Sequence, residues 1–504
     1  MSLHLPAEPA DDAKPLLLCS IGFVTERWRL IVLISVLLLL PCFWHKRIEA
    51  GDLGSHTYNA WLSQLIERGE APGVYITRQW NNVLLDLALA RVADAVGFAA
   101  AEKTVVSACV LVFFWGAFAL ITVATSRPPW YLVPAIAMIA YGWTFQMGFL
   151  NYYVSLGFAF FAAALFWRGH GLDWIAGVIL SGLALLAHPM GFLCLAGVAA
   201  YLRLAEKSSG SRRWLIFASA FVAVFAMHWY IVRHFRVAYW DTRIFYLLNG
   251  ADQLVVYGTH YLMVAWCALI FGAGSFIYGR AQHRKAGGTG WPFRTALELW
   301  AILLFVAAMI PELIYLPRYA APIGFPVARL TAVTAILGLC ILGSVQPRWW
   351  HLAGLAACAL MFLGFLYRDT GTLNKMEEQV EGMTKALPHG RRVVETISPP
   401  PDWRIPFINH MVDRACIGRC FVYSNYEPSS GQFRIRVRPG SPLVTDSVDD
   451  SNAMERGDYV VRAQDLPMTQ IYQCNARDFT QLCMRDLTTG EKNGRIGNPA
   501  SFPQ

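Results

Sequence analysis

A carboxylate and an imidazole stand four residues apart at Asp52 and His56, and Asn59 and Ser63 continue the spacing of four, three and four. On a helix that begins by Asp52 these side chains share one face. Asp52 could take a proton from an attacking hydroxyl as a general base. Asp52 and His56 together could offer two ligands to a divalent metal ion such as Mg, Mn or Zn. The plainer alternative is that Asp52 caps the helix, a position that favours Asp, and that His56 is a solvated interfacial residue. Tyr58, Trp61, Leu62, Leu65 and Ile66 form an apolar stripe on the same segment. Gly69 and Pro72-Gly73 stop this helix, and a second amphipathic helix is expected from about Asn82 to Val96.

Further polar groups lie in other breaks of the apolar pattern. His188 precedes Pro189 and could contact a sugar or a phosphate, or simply close a turn. The stretch 233–257 carries Arg233, His234, Arg236, Tyr239, Trp240, Asp241 and Arg243. Rings stack on sugars and arginines bind phosphate, so Arg236 and Arg243 are substrate-binding candidates; an ordinary interfacial belt of Trp and Arg is the alternative. Arg78 and the polar-aromatic stretch Gln79–Asn82 are further candidates for lining a cavity. Glu312 lies near the end of an apolar block, where an ionisable residue is a functional candidate. It could pair with Arg318, beside Tyr319, or act as a second acid. Arg318 suits a phosphate contact, or snorkels to lipid headgroups.

Elements of membrane type must hold these residues. Of 504 residues, 56% are hydrophobic and 15% charged, against about 25% charged in soluble domains. The apolar residues come in blocks close to the roughly 20 residues that cross a bilayer. Eleven spans are expected, at 28–45, 104–124, 130–148, 151–167, 173–187, 189–204, 213–232, 258–279, 295–313, 327–345 and 349–367. Lys207, Arg212, Arg213, Arg280, Arg284, Lys285 and Arg294 then share one side with the N-terminus, which the positive-inside rule makes cytoplasmic. The net charge of +8 is thereby read as topology signal and lipid contact rather than nucleic-acid binding. The expected organisation is a cytoplasmic tail over 1–25, a membrane domain over 26–367 with a long outer loop at 46–103, and an extracytoplasmic region over 368–504.

That last region is polar and carries Cys416, Cys420, Cys474 and Cys483. Four cysteines outside the cell suggest disulfides, for which Cys416–Cys420 and Cys474–Cys483 are the candidate pairs. Cys416 and Cys420 could instead be half of a zinc site. Strands are expected at 391–397, 421–423, 432–437 and 459–462, hence a small α+β domain.

The order of a single span, an acidic residue opening a long outer loop, and two amphipathic helices resembles the GT-C superfamily of polytopic glycosyltransferases. Gly51-Asp52-Leu53-Gly54-Ser55-His56 occupies the place of that family's acidic motif, with one acid where a pair is common. Pro317-Arg318-Tyr319-Ala320-Ala321-Pro322 resembles the RY-x-x-P stretch of bacterial protein mannosyltransferase and aminoarabinose transferase members. The resemblance covers about 20–367. It implies a bacterial inner-membrane enzyme that uses a polyprenyl-phosphate sugar and a glycan, lipid or protein acceptor, with Asp52 as base. No P-loop, dinucleotide fingerprint, nucleophile elbow or HExxH motif is present. A transporter or flippase, or a non-catalytic membrane scaffold, are the competing classes.

Overall fold

A computed structural model describes residues 16–239, 248–285, 293–346 and 348–494, and within 17–21 only the backbone. The chain is mostly helical. In order run α1 (Leu16–Phe43), α2 (Leu53–Glu67), β1 (Val74–Ile76), α3 (Leu84–Val96), α4 (Phe98–Thr125), α5 (Val133–Ala140), α6 (Trp143–Gln146), α7 (Leu150–Arg168), α8 (Leu172–Ala187), α9 (Pro189–Ala205), α10 (Gly210–His234) and β2 (Arg236–Ala238). There follow α11 (His260–Lys285), α12 (Arg294–Met309), β3 (Leu313–Tyr315), β4 (Ile323–Gly324), α13 (Pro326–Leu342) and α14 (Trp349–Ala386). The polar end of the chain adds β5 (Arg391–Thr396), α15 (Met411–Cys416), β6 (Cys420–Val422), α16 (Glu427–Ser430), β7 (Ile435–Val437), α17 (Val448–Arg456), β8 (Met468–Gln473) and β9 (Leu482–Asp486).

Prolines and glycines set several breaks. Pro189 and Pro326 open α9 and α13, where a missing amide hydrogen costs nothing. His188, before Pro189, is extended at φ −162° and ψ 129°. Among the described residues, five helices are long and apolar enough to cross a membrane: α4, α7, α10, α11 and α14. The expectation of eleven spans exceeds that number for local reasons. The block at 130–148 breaks at Tyr141-Gly142 into two short helices. α8, α9, α12 and α13 have 16, 17, 16 and 17 residues, short of a full crossing without tilt or thinning. α10 has no buried residue and exposes Trp214, Leu215, Val222, Phe225 and Trp229, a surface suited to lipid rather than water.

The polar end is not set apart at residue 368. α14 runs unbroken through that position for 38 residues. β1, in the loop after α1, pairs antiparallel with β7, Val74 opposite Val437. Four strands stack in the order β6-β5-β8-β9, with β5 parallel to both neighbours and β9 antiparallel to β8. The expected strand at 459–462 is reduced to a single bridge, Val460 to Lys492, and β8 and β9 take its place in the sheet. Cys416 is bonded to Cys420 and Cys474 to Cys483, the pairs expected from the sequence.

Candidate active site

Asp52 lies where the loop 50–53 crosses the turn after α6. Its amide donates to the Met147 carbonyl at 3.0 Å. The crossing is too close for side chains: a Cβ on Gly51, at φ +22°, would lie 2.3 Å from the Met147 oxygen, and one on Gly148, at φ +76°, 2.4 Å from the Asp52 nitrogen. Glycine at both positions is what allows the contact. Asp52 occupies the N-cap position of α2, yet its carboxylate makes no capping bond. The carboxylate is buried, and its Oδ1 lies 3.5 Å from His410 Nε2. The other ring nitrogen of His410, Nδ1, is 2.9 Å from Asp413 Oδ2. Asp413 thus orients the ring, and the ring faces Asp52. Burial disfavours the imidazolium, but Asp413 and Asp52 outweigh it and hold the His410 pKa well above the ordinary value.

The face of α2 that carries His56, Asn59 and Ser63 is not solvated. Leu53 through Ser63 are all buried, because the polar end of the chain covers the helix. His56 Nδ1 is 2.9 Å from Asp86 and 4.0 Å from Glu427. Ser55 donates to Glu427 at 3.2 Å, and Asn425 donates to Asn59 Oδ1 at 2.8 Å. Arg434 donates to the Ser63 hydroxyl at 2.9 Å. Burial pushes Glu427 up to about 8, and burial likewise pushes Glu455, within reach of the His410 and Asp413 charges, up to about 7. For His56, burial opposes the charge, but Asp86, Glu427 and Asp52 together raise it to about 9. Of the plainer roles read from the sequence, Asp52 holds the cap position without a capping bond, and His56 is an ion-paired core residue rather than a solvated one.

A cation that the sequence did not single out completes this neighbourhood. Arg329, in the first turn of α13, lies with its guanidinium carbon 4.0 Å from the centre of the Phe149 ring, and Phe149 follows the glycine that abuts Asp52. Its Nε is buried and has no hydrogen-bond partner. No carboxylate among the described residues lies within 4 Å of it, and the charges that act on it from further off include those of Asp52 and Glu312. His188 stands on the same side, its ring edge-on to Tyr152 at 5.4 Å. His188 Nδ1 accepts from the Met190 amide, so the ring caps α9.

Other residues expected from the sequence are distributed around the hub formed by 426–437. Tyr319 and Arg318 lie in a turn whose next residue, Ala320, donates to the Ser430 carbonyl. Gln432 donates to the carbonyls of Ala321 and Pro322. The loop carrying Arg78 meets the same segment from the other side, where Thr77 donates to the Arg434 carbonyl and Gln79 to that of Gln432. Arg318 and Arg78 are themselves exposed. The pairing of Glu312 with Arg318 is not among the ion pairs of the described residues; Glu312 is buried, with its backbone in the β2-β3-β4 sheet. Arg236 is exposed on β2, 4.9 Å from the Tyr315 ring centre. Arg243, Trp240 and Asp241 lie outside the described residues.

Asp52 and His56 do not form a ligand pair, since one faces His410 and the other Asp86. Among the described residues no group of three or more His, Cys, Asp and Glu is placed to hold a metal ion. The arrangement offers a buried carboxylate facing an imidazole–carboxylate pair, beside an arginine with capacity for an anion. That combination can accept a proton and stabilise a departing oxyanion. Comparison with known proteins adds nothing here: no protein-family model, no curated protein and no solved structure matches this chain.

Proposed function

We propose that this chain is a membrane glycosyltransferase that moves a sugar from a polyprenyl-phosphate donor to an acceptor hydroxyl. The observation that carries the reading is the Asp52–His410–Asp413 chain beside Arg329, whose guanidinium has no ion-pair partner among the described residues. The acceptor oxygen attacks the anomeric carbon and gives its proton to Asp52. The bond from that carbon to the phosphate oxygen breaks, and the lipid phosphate leaves with the electron pair. Arg329 replaces Arg318 as the phosphate contact, because its charge lies near Asp52 and has no ion-pair partner among the described residues. His410, held charged by Asp413, keeps Asp52 oriented between turnovers.

The finer topology belongs to the same proposal. Eleven membrane segments, some of them short or broken, would leave the N-terminus cytoplasmic and the region after α14 outside. Two disulfides in that region support an oxidising compartment, in keeping with a bacterial inner membrane and an outward-facing site. The donor's tail then stays in the bilayer while its head meets Asp52 at the edge. The cavity beside Gly51, Gly54 and His410 is about 20 Å³, room for about one water.

The test is Asp52→Asn in purified full-length protein, supplied with polyprenyl-phosphate sugars in vesicles. Loss of a general base is expected to lower turnover roughly 100- to 10,000-fold with the protein still folded. Undiminished transfer by Asp52→Asn would reject the base assignment.

A further inference from the structure

Arginine stands at every second position through β7: Arg434, Arg436 and Arg438. The ladder with β1 runs one residue past β7 at each end. The Thr77 amide donates to the Arg434 carbonyl and the Arg438 amide to that of Gly73, both at 2.8 Å. Side chains alternate along a strand, so Ile435 and Val74 turn inward and are buried. The three arginines share the other face with Tyr75, which stands opposite Arg436. Neighbours in the row are roughly 7 Å apart and its ends roughly 13 Å.

The turn after β3 adds Arg318 and Tyr319. Both act on Arg436, as does Tyr75, and no carboxylate does. Burial and the Arg318 charge hold the Arg436 pKa below its ordinary value, against the two phenols. Nη1 of Arg436 is buried and has no hydrogen-bond partner, and Arg438 lies over the Tyr75 ring at 5.5 Å. No ion pair among the described residues includes any of these four arginines. Cations held together without an acid favour a ligand with several negative charges in a row. The phenol rings offer an apolar face with a polar tip, which suits a sugar ring. The face also leads to the candidate active site. Arg434, at one end of the row, donates to Ser63 at 2.9 Å, and Ser63 lies roughly 16 Å along α2 from Asp52.

We infer that the β1–β7 face binds a linear acidic glycan, its carboxylates set along Arg434, Arg436 and Arg438 with Arg318 beside them. The guanidinium fork matches a carboxylate, and an extended row of cations with ring faces beside it matches an extended chain of charged sugars. A lipid surface asks for no such spacing. Binding itself needs no sugar transfer. That this glycan is the acceptor, with its end reaching Asp52, rests on the transferase reading above.

The experiment reads the fluorescence anisotropy of labelled oligogalacturonate with full-length protein in neutral micelles and no sugar donor. Oligogalacturonate is expected to bind and maltodextrin of the same length not to. Arg436→Gln with Arg438→Gln should weaken binding roughly 30-fold. Arg212→Gln with Arg284→Gln removes the same charge from exposed positions on α10 and α11 and should leave binding unchanged. Equal binding of oligoglutamate, displacement by phosphatidylglycerol added to the micelle, or equal loss in the two double variants would each overturn the assignment. Glycan bound by a protein that transfers no sugar upholds the site and rejects the acceptor role; transfer without such binding rejects the site and leaves the transferase standing.

Discussion

Arg414→Met removes the cation on which three buried carboxylates converge. Arg414 contacts Glu102 and Glu377 at 2.6 Å each and Glu49 at 3.3 Å, and donates to the Ile48 carbonyl at 3.0 Å. These partners come from the start of the loop after α1, the head of α4 and the polar half of α14, so one side chain ties three segments to α15. Without it, Glu377 keeps Arg47 at 3.0 Å and Glu102 keeps the Thr57 hydroxyl at 2.9 Å. Glu49 keeps no cation, and its Oε1 already lacks a hydrogen-bond partner. Breaking a buried pair costs about 3–5 kcal/mol. Two of the three carboxylates stay partnered, so the lower end applies, about 3 kcal/mol and roughly 100-fold in an opening equilibrium. The assay is hydrogen exchange at the amides of α15 and of the β1–β7 pair, where protection factors at pH 7.5 should fall by about that ratio. Burial, with Glu377 next, already holds the Glu49 carboxyl well above its ordinary range, while Arg414 lowers it. Losing Arg414 raises it further, so Glu49 becomes neutral more readily in acid and the deficit should shrink at pH 5.5. Protection within threefold of the parent at both pH values would refute the view that Arg414 clamps these segments.

Two further outcomes are expected. Gly54→Ala places a Cβ 2.1 Å from the His410 carbonyl oxygen; α2 must shift from the 405–411 segment, and both transfer activity and thermal stability should drop, with retention of both marking the contact as dispensable. Raising the pH should destabilise the packing around α2 through His56: its pKa of about 9 lies above its ordinary 6.5, so its contribution is full below pH 6.5 and lost as pH rises through about 9, up to roughly 3 kcal/mol. Glu427, pushed up by burial, acts with the same sign as pH climbs toward about 8. Melting temperatures read between pH 6.5 and 9 should fall more steeply for the parent than for His56→Gln, and equal slopes would argue against it.

Much of this architecture is local and therefore legible in the chain. Apolar blocks of helix length, Pro189 and Pro326 at helix starts, and Gly69 with Pro72-Gly73 after α2 act through neighbours in sequence, and α2, α3, α9 and α13 follow them. Asp52 also stood out, because its place ahead of an amphipathic helix is a short-range feature. The companions of Asp52 did not stand out. His410 sits in an irregular segment without period, Arg329 follows an apolar start that reads as an ordinary span, and Glu427 meets Ser55 across 372 residues. The polar face of α2 looked solvent-facing since spacing reports which side chains share a face, but not what covers it. Only the return of the polar end over the loop after α1, through β1–β7 pairing and the Arg414 contacts, removes water from that face. Burial and proximity between distant segments are what turn a carboxylate, an imidazole and an arginine into one electrostatic unit, and those are properties of the tertiary structure alone.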